Sequence, residues 1–416
     1  MPPGSVPPPA RDACPGLLAL HPARDGHVAR IRLPGGYVTG PRWLALAGLA
    51  RDLGDGHLDL TARGNVQLRG LRPDAAAELS GRAAEAGLLP SAAHDRARNV
   101  MASPLAGLDG RSPLRPLVEE LDVALLAGPE FAALPGRFLF SLDDGTGGAG
   151  LAGCDVGLRW AGDGLEVVIA GRTVGVRTAP ADAVSVATAA ARAAIARGVG
   201  GRVTRIGDLA DGGASVAAAI GGSLGPAAAG ADTRLPLGSA GDAGGRSQIS
   251  SLTKVVGAPL GRVADSQARL IEGLLRPGEV IRLGIAGRIV IPLPAEADEP
   301  GDALVRLAGA GLLVAGDDRL AGVTACSGAA CHRSVADVRA AARPLAGHPR
   351  THWAGCARQC GLPPDAEPVI AVDADRYLIP GEVRPRLLAS LGVPAAPGRP
   401  AAPEAPGPVG TLAGAS

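Results

Sequence analysis

The chain has 416 residues, 46% hydrophobic and 19% charged, with a formal net charge of +1. At about 100–200 residues per domain this is enough for several domains and a sizeable core. The near-zero charge excludes a global electrostatic attraction to nucleic acid or a membrane surface, and no local basic run supplies one.

The N-terminus "MPPGSVPPPARDAC" has no signal-peptide core, and no apolar run is long enough to span a bilayer. A cytoplasmic protein with no nucleic-acid or membrane partner is expected. In a reducing compartment, the cysteines at 14, 154, 326, 331, 356 and 360 are expected as thiols or metal ligands, not disulfides. Lys254 is the single lysine, so nearly all 41 basic residues are arginine. Coding bias and a need to cradle carboxylates both explain this, and composition does not choose between them.

In chain order, loose segments are expected at 1–13, 221–250 and 394–416, rich in Pro, Gly and Ala. The first half begins with a half-buried strand at 28–36, in which Ala29, Ile31 and Leu33 alternate. A helix carrying Trp43, Leu46, Ala47, Leu49, Ala50 and Leu53 follows, then a strand over 57–70. A mixed region comes next, with a helix through Leu114, Leu117, Val118, Leu121 and Leu125, strands at 137–142, 155–160 and 165–171, and a helix from Asp182 to Arg197. The second half repeats the order: strand 254–263, helix Ala268–Leu275, strand 279–293. Its own mixed region has a helix at 302–311, a strand at 323–326, a helix near Ser334–Ala342 and strands at 368–372 and 376–379. The pattern reads as α+β with an internal duplication. The predicted units are half-domains at 14–80 and 251–298, larger α+β domains at 81–220 and 299–393, and a Gly/Ala-rich linker at 221–250.

The strongest chemical signal is Cys326-x4-Cys331-x24-Cys356-x3-Cys360, two close pairs that can enclose a soft metal or cluster. A helical turn would put Cys356 and Cys360 on one face, and Gly328 and Gly355 would let backbone approach a cluster. Iron–sulfur is favoured over tetrahedral zinc, whose pairs usually have two to four intervening residues in both knuckles and sit in small modules. The second signal is "TARGNVQLR", where period 2 places Arg63, Asn65, Gln67 and Arg69 on one face. This is either a solvated strand surface or an anion-binding wall joined by Arg96, Arg98 and Arg137. Two motifs are discounted. "GTGGAG" at 145–150 fits a dinucleotide fingerprint by letters but is expected as a hairpin loop. His57 and Asp59 are expected as polar residues on a strand face instead of iron ligands.

"LDLTARGNVQLRG", "RNVMASPLAG" and "HWAGCARQCG" resemble the substrate-side strand, second arginine segment and second cluster pair of the nitrite/sulfite reductase superfamily. Within it, "ACPGLLALHPARDGHVARIRLPGG", "ASPLAG" and "LPGRFLFSLDDG" resemble the precorrin-3B synthase family of aerobic cobalamin biosynthesis, over roughly residues 11–393. The resemblance implies duplicated ferredoxin-like half-domains plus two larger α+β domains in pseudo-two-fold arrangement. It also implies oxygen-dependent hydroxylation of precorrin-3A at a meso carbon, with lactone formation. The implied cofactors are a [4Fe-4S] cluster on Cys326, Cys331, Cys356 and Cys360, a mononuclear iron, and NADH as electron source through a donor protein. The implied partners are the tetrapyrrole and O2.

By the same resemblance, Arg63, Arg98 and Arg137 are the catalytic candidates, and Arg63, Asn65, Gln67, Arg69 and Arg98 would bind substrate. Leu139 stands where siroheme reductases have the second lysine of a K-x-K pair, so their oxyanion-binding cation set is incomplete. "CSGAAC" has four residues between its cysteines where the family has five, which brings His332 forward as a substitute ligand for Cys331. In the duplicated turn Ala286 stands in place of Arg63, so one functional half-site is expected. A siroheme-dependent sulfite or nitrite reductase is the alternative reading. An iron–sulfur electron carrier or binding protein is the second.

Overall fold

Alternating and helical apolar patterns build the first unit of the structure, a computed structural model that describes residues 14–110, 112–201, 203–228, 235–240, 249, 252–294, 300–344, 350–363, 365–379 and 386–387. The segments expected to be loose at 1–13 and 394–416 lie outside the described residues. Strands β1 (His21–Ala23) and β2 (Gly26–Ile31) form a hairpin; β3 (Tyr37–Thr39) leads into α1 (Gly40–Leu53), followed by β4 (His57–Leu60), β5 (Val66–Leu71) and α2 (Ala76–Glu85). The buried face of α1 carries Trp43, Leu46, Leu49, Ala50 and Leu53, and Pro41 occupies its first turn, where no N–H is needed. The expected strand 57–70 is two strands. The Thr61 hydroxyl accepts the N–H groups of Arg63 and Asn65, and Gly64 takes φ +65, which ends the extended run.

The next unit contains β6 (Val100–Ala102), α3 (Arg115–Ala127), β7 (Phe140–Asp143), β8 (Val156–Ala161), β9 (Gly164–Ile169), β10 (Arg172–Thr178), α4 (Ala183–Ala196) and α5 (Ala214–Ala219). Its sheet runs β10-β9-β8-β7-β6, parallel across β6–β7–β8 and antiparallel beyond. Leu117, Leu121, Leu125 and the alanines of α4 pack on Phe138, Phe140, Leu158 and Val167. The "GTGGAG" loop is not a hairpin, because β7 and β8 are parallel. It is a crossover whose amides at Gly145, Gly147 and Ala149 donate to the buried Asp143 carboxylate, and it opens no α-helix. Within the stretch expected to be loose at 221–250, the amides of Ser223, Gly225 and Ala228 instead hydrogen-bond along β10.

The third unit repeats the first: β11 (Gly238–Ser239), β12 (Thr253–Gly257), β13 (Arg262–Ala264), α6 (Asp265–Gly273), β14 (Val280–Leu283) and β15 (Arg288–Pro292). The expected strand 279–293 is again split, here by a turn at Ile285–Gly287. The two units exchange a strand. Their sheets run β1-β2-β5-β4-β13 and β11-β12-β15-β14-β3, with Val263 opposite Leu58 and Val38 opposite Ile281. α1 and α6 meet between the sheets, where Trp43 Nε1 donates to the Ala268 carbonyl at 3.1 Å, and both units share one core.

The last unit has α7 (Pro300–Gly309), β16 (Val323–Ala325), α8 (Val338–Ala342), β17 (Thr351–Ala354), β18 (Glu367–Ala371), β19 (Arg376–Leu378) and β20 (Arg386–Leu387). Strands β16–β17–β18 are parallel and β18–β19–β20 antiparallel, the same alternation as in the second unit. The helix expected near Ser334–Ala342 starts at Val338, capped by Asp337, whose carboxylate accepts the Ala340 amide. The whole is α+β, as expected. Among the described residues no helix is long and apolar enough to cross a membrane.

Candidate anion-binding face and cysteine centre

Period 2 in β2 sends Ala29 and Ile31 into the core and Arg30 and Arg32 to the opposite face. The β4–β5 turn brings Arg63 to the same place: Arg63 Nη1 donates to the Arg137 carbonyl (3.2 Å) and Arg32 Nη2 to the Gly136 carbonyl (3.1 Å). Arg32 is 3% exposed, and its Nε is buried without a partner. Burial, then the Arg30 charge, holds the Arg32 guanidinium down at about 9, well below its ordinary value. Burial, then Arg205 and Arg30, holds Arg63 at about 10. Cys14 and Asp95 act the other way at Arg32, as do Cys14 and Asp155, itself paired with Arg205 at 2.6 Å, at Arg63. Arg63 and Gly64 also line a cleft with Gly36, Met101, Leu283 and Gly284. A side chain at Gly64 would come within 3.1 Å of the Leu283 carbonyl, so glycine keeps the backbones close there.

The residues expected in one row separate. Asn65 is a structural tie: its Oδ1 accepts the Leu33 amide and its Nδ2 donates to Asn99. Gln67, with its amide oriented by its hydrogen bonds, accepts from Arg30. Arg69 is buried in a bidentate pair with Asp25 and reaches the loop between Cys326 and Cys331. Arg98 makes a bidentate pair with Asp122 of α3, at 2.6 and 2.7 Å. Arg137 is exposed and adds its carbonyl to the site. Sequence reading missed Arg30, Arg32 and Arg205. The alternation that marked Ala29, Ile31 and Leu33 carried the signal for the first two.

The cysteines lie at the C-terminal ends of the parallel strands β16 and β17. Cys326 follows β16, and its amide donates to the Trp353 carbonyl. Its Sγ accepts amides of Gly328 (3.4 Å) and Gly355 (3.2 Å). Cys331 ends a 3-10 turn at Gly328–Ala330. Cys356 and Cys360 lie in turns and not on the expected helix, with Gln359 at φ +47. Gly355 is demanded by a different neighbour from the one expected, since a side chain there would strike the Ser334 hydroxyl at 1.8 Å. Burial, and then the charges of the other three cysteines after the opposing effect of Arg358, push the Cys360 thiol up. Cys360 thus feels the other three sulfurs. Among the described residues no three His, Cys, Asp or Glu side chains converge on a single ion. Four thiols at the ends of two adjacent parallel strands are an all-sulfur donor set, the kind that an iron–sulfur cluster takes.

His57 Nδ1 meets the Asp55 carbonyl, and Asp59, expected as a polar residue on a strand face, is buried in pairs with Arg262 and Arg339. Burial pushes the Cys154 thiol up to about 12, which makes it an inert core residue.

Residues 21–86 match the family described as nitrite/sulfite reductase ferredoxin-like half domain. The structure is similar to that of the NirA protein of Mycobacterium tuberculosis, with a TM-score of 0.67 and 18% identity over 88% of this chain and 79% of that one. The chain has the nitrite/sulfite reductase fold. It is 34% identical to a ferredoxin–nitrite reductase of Synechococcus elongatus over 126 residues, 28% of this chain and 25% of that protein. It is 35% identical to a precorrin-3B synthase of Sinorhizobium sp over 124 residues, 29% of this chain and 26% of that protein. The matched stretch thus spans about a quarter of either relative.

Proposed function

We propose that this superfamily oxidoreductase is an oxygenase of the precorrin-3B synthase type, acting on precorrin-3A. The observation that carries the reading is the cluster of Arg30, Arg32 and Arg63, the last of which lines a glycine-rich cleft. Planar guanidiniums in fixed positions suit the several carboxylates of a tetrapyrrole. Leu139 is buried where the resemblance puts a lysine of an oxyanion reductase, which supports this reading over sulfite or nitrite reduction.

In this reading Arg63, Arg30 and Arg32 bind substrate carboxylates and orient the macrocycle, and glycine backbone at 36, 64 and 284 lets its flat face approach. Positioning is their contribution to rate. Arg98 and Arg69, committed to Asp122 and Asp25, are not assigned to the substrate. A [4Fe-4S] cluster on Cys326, Cys331, Cys356 and Cys360 supplies electrons singly when bound. The net change inserts one oxygen atom of O2 into the substrate, and the other leaves as water with two electrons and two protons drawn ultimately from NADH. No step is assigned to a mononuclear iron.

The test is the UV-visible and EPR spectrum of anaerobically purified protein with its iron and sulfide content, followed by mass analysis of precorrin-3A turnover under air with a reductant. Iron–sulfur absorption without tetrapyrrole bands, and a product heavier by one oxygen atom, are expected. Bound siroheme with nitrite or sulfite turnover would replace this reading by the reductase one, which the equally extensive nitrite reductase match favours.

A further inference from the structure

The loop between Cys326 and Cys331 is held from the first half-domain as well as from within its own domain. The Ala330 carbonyl accepts both the Arg24 amide and Arg69 Nη2 at 3.0 Å, Ser327 Oγ accepts Arg69 Nη1 at 3.2 Å, and the His332 carbonyl accepts Arg24 Nη2 at 3.3 Å. The Cys326 carbonyl accepts Arg339 Nε at 3.1 Å, and the other end of that guanidinium is paired with Asp59 of β4. Arg69 has little freedom to do otherwise. Its side chain is 5% exposed, and both Asp25 carboxylate oxygens fix its plane at 3.0 Å. A guanidinium holds such a set because its donors form a rigid fork, whereas an ammonium is a point charge.

We infer that Arg69, seconded by the Asp59–Arg339 pair, is a positioning residue for the Cys326 and Cys331 sulfurs. The first half-domain thereby builds one wall of the cysteine centre. A four-residue loop has few internal hydrogen bonds to fix both sulfurs, and this clamp supplies the missing constraint. It also accounts for an arginine from the expected substrate row pointing away from the cleft. For its cluster readouts the inference rests on the reading of these cysteines as cluster ligands.

The test uses the full chain as Arg69→Ala, Arg69→Lys and Arg339→Gln, with the exposed Arg72→Ala as control. Alkylation by iodoacetamide of the reduced, metal-free protein is resolved cysteine by cysteine by peptide mass analysis. Loss of charge-assisted hydrogen bonds should speed labelling of Cys326 and Cys331 about tenfold in Arg69→Ala, with an intermediate effect in Arg69→Lys and Cys154 still protected. In protein reconstituted with iron and sulfide, Arg69→Ala should shift the reduced-state EPR signal and shed iron to a chelator faster, while Arg72→Ala matches wild type. Unchanged labelling of both cysteines in Arg69→Ala and Arg339→Gln would overturn the inference. So would faster labelling that extends to Cys154, which would make Arg69 a general support of the fold. Wild-type protein that takes up no iron and sulfide would defeat the cluster reading, while the labelling pattern would still decide the clamp.

Discussion

The duplicated turns Thr61–Asn65 and Ile285–Gly287 both hold a glycine at positive φ, Gly64 and Gly287, and differ in chemistry. In the first, Arg63 joins Arg30 and Arg32 of β2, and Gln67 of β5 accepts from Arg30. In the second, Ala286 stands for Arg63, and the register that pairs Arg30 with Gln67 pairs Val255 with Val290. Those valines are fully buried under Leu105, Ala240 and Ile249, so the stretch expected as a linker caps the second copy's face with apolar contacts. Duplication supplied two equivalent faces; charge was kept on one, and the other was converted to core.

The largest effect should come from the seam that the copies share. Trp43→Ala should cost about 3–5 kcal/mol in chemical denaturation and move one transition for both half-domains; two separate transitions would break the picture of a common core. Next, Arg63→Ala should weaken polycarboxylate binding roughly 10- to 100-fold by calorimetry, whereas Ala286→Arg should gain nothing, because its valine neighbours bind no anion. A smaller contrast lies in the backbone. Ala286 holds φ +54, so Ala286→Gly should stabilise by about 1 kcal/mol, while Gly64→Ala should destabilise, both read as shifts in Tm.

The smallest effect is in pH. A bound anion favours the charged guanidiniums, so affinity should be level near neutrality and fall as pH rises through about 9 and 10, where Arg32 and Arg63 lose their protons. Because both are depressed in the folded state, these two groups favour folding as pH rises beyond there, while Cys154, Tyr37 and Tyr377, raised by burial, act the other way. An affinity flat to pH 11 would place the anion away from these two arginines.

The α+β class, the duplication and most helices and strands were legible because each rests on local periodicity. Two of the longest expected strands, 57–70 and 279–293, failed for one reason: a turn set by Thr61 and Gly64, or by Gly287, interrupts apolar alternation without disturbing its letters. Spacing picked out the four cysteines that follow the adjacent strands β16 and β17, but not the contacts round them: Asp25 gave no signal, and Asp59 and Arg69, distant in sequence, read as strand-face and substrate residues. The separation of Arg69 and Arg98 from Arg63 depends on where Asp25 and Asp122 lie, which no spacing along one strand encodes.

The exchanged strands also set an order of events during synthesis. β4 finds its outer neighbour only when residues 262–264 have been made, and β3 is unpaired until residues 280–282 arrive. The first half-domain therefore leaves the ribosome with an open sheet edge, and it keeps that edge while the whole intervening domain is translated. A chain that stops short of residue 262 would carry the edge permanently, as an exposed template for pairing with other chains and a substrate for chaperones and proteases.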